Sequence, residues 1–187
     1  ERLSFSAIYQ SNLDEFFMVR VGSITDDEKS GNLKKDSKSG MTPSQQLDAI
    51  FTAVRRLQPS VEETYRETMS KLSAYGFEHV NFDNVTKDEL TFLELYFKRE
   101  IKPFISGIII NDSLPFPFLK NKELYAIVQL NSKKGVSVGI VPINHEHSER
   151  IISLGNGGKR FILEEEVVLH FVNHMFKNYK VLDRAII

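Results

Sequence analysis

The chain has 187 residues, of which 41% are hydrophobic and 26% are charged, proportions typical of an ordinary globular protein. Its 24 basic and 25 acidic residues give a net charge of −1, so no global electrostatic field attracts nucleic acid. The absence of cysteine excludes disulfides and thiolate chemistry. No apolar run approaches the roughly 20 residues that span a bilayer, so we expect no transmembrane segment. The chain begins inside a helical pattern and ends in an apolar run, which indicates a piece of a longer protein.

Residues 1–21 predict one amphipathic helix, because apolar side chains recur at spacings of three and four. This stripe consists of Phe5, Ile8, Tyr9, Leu13, Phe16 and Phe17. Asn12 lies on the same stripe, one turn from Ile8 and one turn from Phe16. Either it is a core residue whose carboxamide bonds to neighbouring backbone, or it faces a ligand edge that needs both a donor and an acceptor. The pattern alone favours the core interpretation.

Two further helices are expected to complete a first, all-α unit. Residues 30–40 form a polar loop, after which Thr42 and Pro43 begin a long helix with a buried apolar stripe, kinked at Pro59 and ending near Gly76. A T-x-x-E capping box at residues 86–89 opens a third helix, which ends before residue 103.

The remaining residues predict an α+β unit. Residues 124–130 and 136–143 are strands joined by a hairpin, residues 151–154 and 160–163 form a second short pair, residues 163–177 are helical, and residues 181–187 are a further strand. The predicted fold class is therefore mixed, with a helical domain at residues 1–101 and an α+β domain at residues 102–187 that continues beyond the chain.

No metal site or catalytic constellation is predicted. His170 and His174 share a helix face, but the position after the first histidine is Phe171, where a zinc hydrolase has glutamate. The cluster at residues 145–147 is expected to be solvated, and residues 155–159 lack phosphate-loop spacing and predict a turn. Asp14 and Glu15 diverge around the helix, so they are expected to face solvent or to pair with Arg20.

The first 20 residues resemble bacterial polyphosphate kinases, through the pattern E-R-x-x-F-x-x-I-[FY]-x-x-N-L-D-E-F-[FY]-x-V-R. The similarity continues at residues 97–105, at the P-F-P passage of residues 114–121, at Val141 and Pro142, and at residues 161–165. Family members have histidine where Leu114 stands here, so no histidine function is expected at that position. The match makes the ligand interpretation of Asn12 the stronger one, since the corresponding asparagine contacts ATP in this family.

The resemblance implies a cytoplasmic enzyme that reversibly transfers the terminal phosphate of ATP onto polyphosphate, with peripheral membrane association as an alternative location. It implies that the phosphorylated histidine, its neighbouring cations and bound Mg²⁺ belong to domains that this chain lacks, so no catalytic residue is expected here. Asn12 would contact the nucleotide, with Phe5 flanking the adenine ring or packing in the core. The α+β unit would be part of the head domain, through which the enzyme forms homo-oligomers.

Two other classes of function stay open at this point. One is a non-catalytic interaction or oligomerisation module that binds a protein through its phenylalanine-rich stripe. The other is a polyanion-binding module, which the near-zero net charge disfavours. Its cations would be Lys29, Lys34, Lys35, Lys38 and those of residues 98–102.

Overall fold

The computed structural model describes residues 1–110, 116–133, 135–143, 148–155, 157 and 159–187. It confirms the mixed class, with a helical region followed by an α+β region that contains two sheets. The chain forms two compact units, Glu1–Tyr75 and Gly76–Ile187. The division into domains at residue 101 stays a prediction; in the structure, residues 76–101 belong to the second compact unit.

The first unit is built from three helices. Helix α1 (Arg2–Phe16) runs through a π-helical turn (Phe17–Val21) into α2 (Gly22–Lys29), and α3 spans Pro43–Ser73. The predicted first helix is confirmed, but helical backbone continues to Lys29 instead of fading from residue 22.

The burial predicted for these helices is confirmed at Leu47 and is wrong for most of the other stripe residues, which are half-buried or exposed. No side chain of α1 is buried, and α3 buries only Pro43, Leu47 and Thr68. The small apolar core consists of Val21, Ile24 and Leu47. Most of the apolar side chains on α1 and α3 are therefore open to solvent in this unit.

The start of α3 follows the sequence signal. The Thr42 hydroxyl accepts a hydrogen bond from the Gln45 backbone, and the Gln45 carboxamide accepts one from the Thr42 backbone, so two of the otherwise unpaired N–H groups are satisfied. Pro59 lies inside the helix, and Gly76 adopts the left-handed conformation (φ 82°) just beyond it.

The second unit begins with β1 (Glu78–His79) and α4 (Lys87–Tyr96), which continues through a second π-helical turn (Phe97–Ile101) and a 3₁₀ turn (Lys102–Phe104). Strands β2 (Ile108–Ile110), β3 (Leu124–Ser132), β4 (Gly135–Ile143), β5 (Ile151–Ser153) and β6 (Arg160–Leu163) follow. Helix α5 (Glu164–Phe171), a 3₁₀ turn (Val172–His174) and β7 (Lys180–Ile186) complete the unit.

These strands form two sheets. One is antiparallel with the order β2-β4-β3-β7, and the other has the order β1-β6-β5, in which β1 runs parallel to β6. The predicted hairpin is confirmed, and pairing continues as far as Ser132 opposite Gly135, so its loop is shorter than the five residues expected. A helix was predicted at residues 163–177, and the observed α-helix is shorter, because it ends at Phe171.

One large core holds the second unit together. Leu93, Phe97 and Ile101, from α4 and its π-helical turn, are fully buried together with Val128 of β3 and Val168 of α5. Burial on this scale supplies the main favourable free energy of folding, so α4 is anchored to the sheets by its apolar face.

Candidate functional site

The apolar stripe of α1 divides between two faces in the structure. Tyr9, Leu13 and Phe17 are half-buried, and the Phe17 ring lies 6.2 Å from that of Phe51 on α3. The other residues of the stripe, Phe5, Ile8 and Phe16, are 69%, 53% and 39% exposed. We call these three residues together with Asn12 the outer stripe.

Asn12 lies at the centre of the outer stripe and is exposed. Within the described part of the chain its carboxamide has no hydrogen-bond partner, so Asn12 is not a core residue satisfied by backbone. The described residues therefore do not show the backbone-bonded, buried asparagine of the core interpretation, and the ligand interpretation stays a prediction. A free carboxamide donor and acceptor bounded by Phe5, Ile8 and Phe16 present a short polar edge between apolar surfaces, which suits a flat group with a matching edge.

The charged residues next to the outer stripe are engaged elsewhere. Asp14 accepts a hydrogen bond from the Gln10 carboxamide at 3.3 Å. Arg20 does not pair with Asp14 or Glu15 as one interpretation expected; its Nη2 lies 3.5 Å from the Gln46 oxygen and 3.9 Å from the Asp36 carboxylate. No acid–base pair forms on this face.

Residues 30–40, expected as a polar loop, are shaped by hydrogen bonds to Asp36. Its carboxylate accepts from the backbone N–H of Ser39 at 2.7 Å and of Lys38 at 3.1 Å. The Ser39 backbone bond is the main reason that the pKa of Asp36 lies below its usual value.

In the second unit, three consecutive glutamates open α5 and take three separate partners. Glu164 is fully buried and accepts from the Ser148 hydroxyl. The Glu165 carboxylate lies 2.7 Å from Arg150 Nη2, and the Glu166 carboxylate lies 2.7 Å from His79 Nε2. Sequence reasoning missed these contacts; the run of three acids at a helix start was the available signal.

Arg160 connects three parts of the same unit. Its Nε donates to Glu89 at 2.7 Å, its Nη2 donates to the Asn84 carbonyl at 2.7 Å, and its Nη1 lies 2.5 Å from Glu78. The hydrogen bond from Arg160 lowers the pKa of Glu89 to about 2, with help from the Thr86 backbone N–H. The contacts of the three glutamates and those of Arg160 both join different secondary-structure elements. We therefore infer that they stabilise the fold.

His170 and His174 serve packing in the structure. The His170 ring stacks on Phe82 with centroids 3.6 Å apart, and the His174 ring meets Phe97 edge-on. Burial is the main cause that lowers the pKa of His170. Among the described residues, no group of three or more His, Asp or Glu side chains is placed to hold a metal ion.

Some predicted features lie wholly or partly outside the described residues. These are the cluster at 145–147, residue 114, and positions 156 and 158 of the predicted turn, in which Gly155 and Gly157 are described and have positive φ angles of 75° and 94°. In the part of the chain that the structure covers, no helix combines the length and hydropathy needed to cross a bilayer.

The chain thus has an N-terminal helical region followed by an α+β region with two sheets. The family model of the polyphosphate kinase N-terminal domain matches residues 1–80, and that of the polyphosphate kinase middle domain matches residues 88–187. The chain belongs to the polyphosphate kinase family.

Similar proteins and a similar structure agree with this assignment. The polyphosphate kinase of Halalkalibacterium halodurans is 37% identical over 186 residues, which cover 97% of this chain and 26% of that protein. The polyphosphate kinase of Staphylococcus epidermidis is 34% identical over 98% of this chain and 25% of its own length. The crystal structure of polyphosphate kinase from Porphyromonas gingivalis superposes with a TM-score of 0.81 over 97% of this chain and 27% of that one. Because the two sequences are only 19% identical, this similarity supports the fold alone. The chain thus spans about a quarter of the length of these relatives.

Proposed function

We propose that the intact polypeptide is a polyphosphate kinase, which transfers the terminal phosphate of ATP reversibly onto polyphosphate. Residues 1–187 would supply one wall of the ATP pocket and part of the dimerisation domain. The observation that carries the proposal is the outer stripe, because its central carboxamide is exposed and is not used for folding among the described residues.

The outer stripe suits an adenine base. An asparagine carboxamide offers one acceptor and two donors, which match the donor and acceptor on an adenine edge, and asparagine pairs with adenine in this bidentate way when proteins read DNA. Phe5, seven residues before Asn12, shares its helix face, and its exposure leaves the ring available to flank the base. The pair would fix the orientation of the nucleotide and leave phosphoryl transfer to other groups.

The groups that carry out phosphoryl transfer are proposed to lie outside the described residues. Phosphoryl transfer needs clustered cations, an oriented nucleophile and usually Mg²⁺. Among the described residues, no group of three or more metal-ligating side chains occurs. As the family resemblance implies, the catalytic histidine and the metal ligands would belong to the part of the enzyme that this chain lacks.

The second unit is proposed to contribute to a homo-oligomer. Large apolar side chains remain exposed in the 3₁₀ turn before β2, in β2 and before β3, and exposed apolar surface of this kind is typical of protein interfaces. They are Phe104, Ile108, Phe116 and Phe118.

The test compares phosphate transfer from ATP to polyphosphate by the intact enzyme and by its Asn12→Ala variant. We expect the KM for ATP to rise roughly tenfold, with little change in kcat, and the preference for ATP over GTP to fall, because a hydrogen-bonded edge is lost. Ser11→Ala is the matched control, since Ser11 is exposed on the same helix next to Asn12.

Two results would contradict the proposal. If Asn12→Ala keeps both the KM and the ATP preference of the original enzyme, Asn12 does not contact the base. If the intact protein transfers no phosphate, the leading function becomes a non-catalytic oligomerisation module. This alternative predicts self-association of the chain that ATP leaves unchanged, and the exposed phenylalanines are the observation that favours it.

A further inference from the structure

Phe17 lies on the inner side of the first helical segment, about 140° around the helix from Asn12. It is half-buried and packs against the small core of the first unit. Its ring centroid lies 6.2 Å from that of Phe51 on α3, with an angle of 43° between the two ring planes. Phe17 therefore joins the C-terminal end of α1 to α3.

The Phe17 ring also contacts the outer stripe. Its centroid lies 6.2 Å from that of Phe16 in an edge-on arrangement, which is a favourable geometry for two aromatic rings. Phe16 follows Asn12 by one helical turn and shares its face. A series of three rings, from Phe51 through Phe17 to Phe16, thus leads from α3 to the side of α1 that carries Asn12.

The N-terminal half of α1 is held on α3 less closely. No side chain of α1 is buried, and an open space of about 530 Å³, lined in part by Tyr9, Leu57 and Val61, lies between the two helices. The Arg2 guanidinium lies 3.5 Å from the Glu67 carboxylate, but these side chains are 63% and 51% exposed. An exposed ion pair contributes little stability, so the packing at Phe17 has the greater weight in placing α1.

The backbone of Phe17 is held at the same point as its side chain. Phe17 begins the π-helical turn, in which the Gly22 N–H donates to the Phe17 carbonyl, and Val21 is buried at the end of the turn. Single π-helical turns are rare and frequently occur at functional sites. The turn therefore directs Phe17 and Val21 together toward the core, where they fix the end of α1.

We propose that Phe17 is a positioning residue for the nucleotide contact of Asn12. Packed between Phe51 and Phe16, its ring would set the rotation of α1 and its distance from α3, and so aim the Asn12 carboxamide at the adenine edge. Hydrogen bonds weaken steeply when their geometry is disturbed, so a small displacement of α1 costs affinity. The inference rests on the proposed function and deepens it, because Phe17 acts through Asn12 and does not itself touch the nucleotide.

The first test measures the kinetics of phosphate transfer by variants of the intact enzyme. We expect Phe17→Ala to raise the KM for ATP about tenfold with little change in kcat, because a ground-state contact is misplaced. Phe17→Leu keeps an apolar side chain at the contact and should stay within about threefold of the original KM. Phe51→Ala removes the same ring contact from the α3 side and should also raise the KM. Since Phe51 is 37% exposed, this variant tests the contact even if Phe17→Ala does not fold.

The second test repeats Phe17→Ala in the Asn12→Ala background. If Phe17 acts through Asn12, the added substitution should change the KM by less than about twofold there, because the contact that it positions is already lost. Ile24→Ala is the matched control, since Ile24 is buried in the same small core but lies beyond the π-helical turn on α2. It should lower the melting temperature and leave the KM unchanged. Thermal unfolding of each variant sets an assay temperature at which all are folded.

Three results would overturn the inference and leave the proposed function standing. An unchanged KM in Phe17→Ala and Phe51→Ala, with a raised KM in Asn12→Ala, would show that the ring contact does not place the carboxamide. The same rise in KM for Phe17→Ala in both backgrounds would show that Phe17 acts apart from Asn12. An equal rise for Ile24→Ala would show a general loosening of the helices. An unchanged KM in Asn12→Ala would instead contradict the proposed function, and the inference would fall with it.

Discussion

At the scale of single residues, the contact between Arg160 and Glu89 gives a pH-dependent prediction. The folded pKa of Glu89, about 2, is below its usual 4.5. A carboxyl group with a lowered folded pKa contributes stability above its unfolded pKa and loses it as the pH falls through the folded value. The contribution of Glu89 is therefore present above about pH 4.5 and is lost between pH 4.5 and 2.

We expect Glu89→Gln to reduce the free energy of unfolding at pH 6 by about 1 kcal/mol, since the ion pair is partly hydrated. Glutamine keeps an acceptor for the Thr86 backbone, so the capping bond survives. Urea denaturation at pH 6 and pH 3 measures the difference, which should shrink at the lower pH. Asp88→Asn is the control, because Asp88 is exposed and adjacent. A difference that stays constant with pH would show that the charge of Glu89 is irrelevant.

At the scale of elements, the Phe176 ring packs closely against the backbone of two glycines, Gly139 of β4 and Gly107 just before β2. A Cβ atom at Gly139 of β4 would lie 2.6 Å from the Phe176 ring and 2.9 Å from Leu130, and one at Gly107, just before β2, would lie 2.7 Å from the same ring. Side chains of any size at these positions would displace the ring from the core. The segment after α5 therefore docks on the four-stranded sheet only because these positions have no side chain.

We expect Gly139→Ala to destabilise the second unit by about 1–3 kcal/mol through overpacking. Adding Phe176→Leu should recover part of this loss, because a smaller side chain makes room for the new methyl group. Thermal unfolding measures both effects. Gly22→Ala is the control, since its Cβ would meet its nearest atom at 3.7 Å and alanine favours helix. An unchanged melting temperature for Gly139→Ala would contradict this account of the packing.

The elements that the sequence predicted well carry local signals. The capping boxes at Thr42 and Thr86 and the hairpin of β3 and β4 each depend on residues close together in the chain, so pattern alone found them. The family motif singled out Asn12, whose contact with the nucleotide stays a prediction. The burial of α1 could not be predicted, because the three- and four-residue spacing is the same whether a stripe faces a neighbouring helix or solvent. The partners of Glu164 and Glu166 were also missed, since Ser148 and His79 are 16 and 87 residues away.

At the scale of the whole molecule, the two units differ in how much apolar surface they bury. The core of the first unit has three buried residues, Val21, Ile24 and Leu47, whereas that of the second includes fully buried side chains from α4, both sheets and α5. Because apolar burial drives folding, the first unit has far less to offset the conformational entropy of its ordered residues. Its helices should open at a lower free-energy cost than the second unit.

We expect hydrogen–deuterium exchange of the 187-residue chain to show fast exchange throughout α1 and α3 and slow exchange in β3, β4 and α5, with protection differing by at least about tenfold. Val128→Ala serves as an internal control that lowers protection in the second unit only, since Val128 is fully buried there. Equal protection of both units would show that the small core of the first unit is enough to hold its helices, and would contradict this account of the difference between the units.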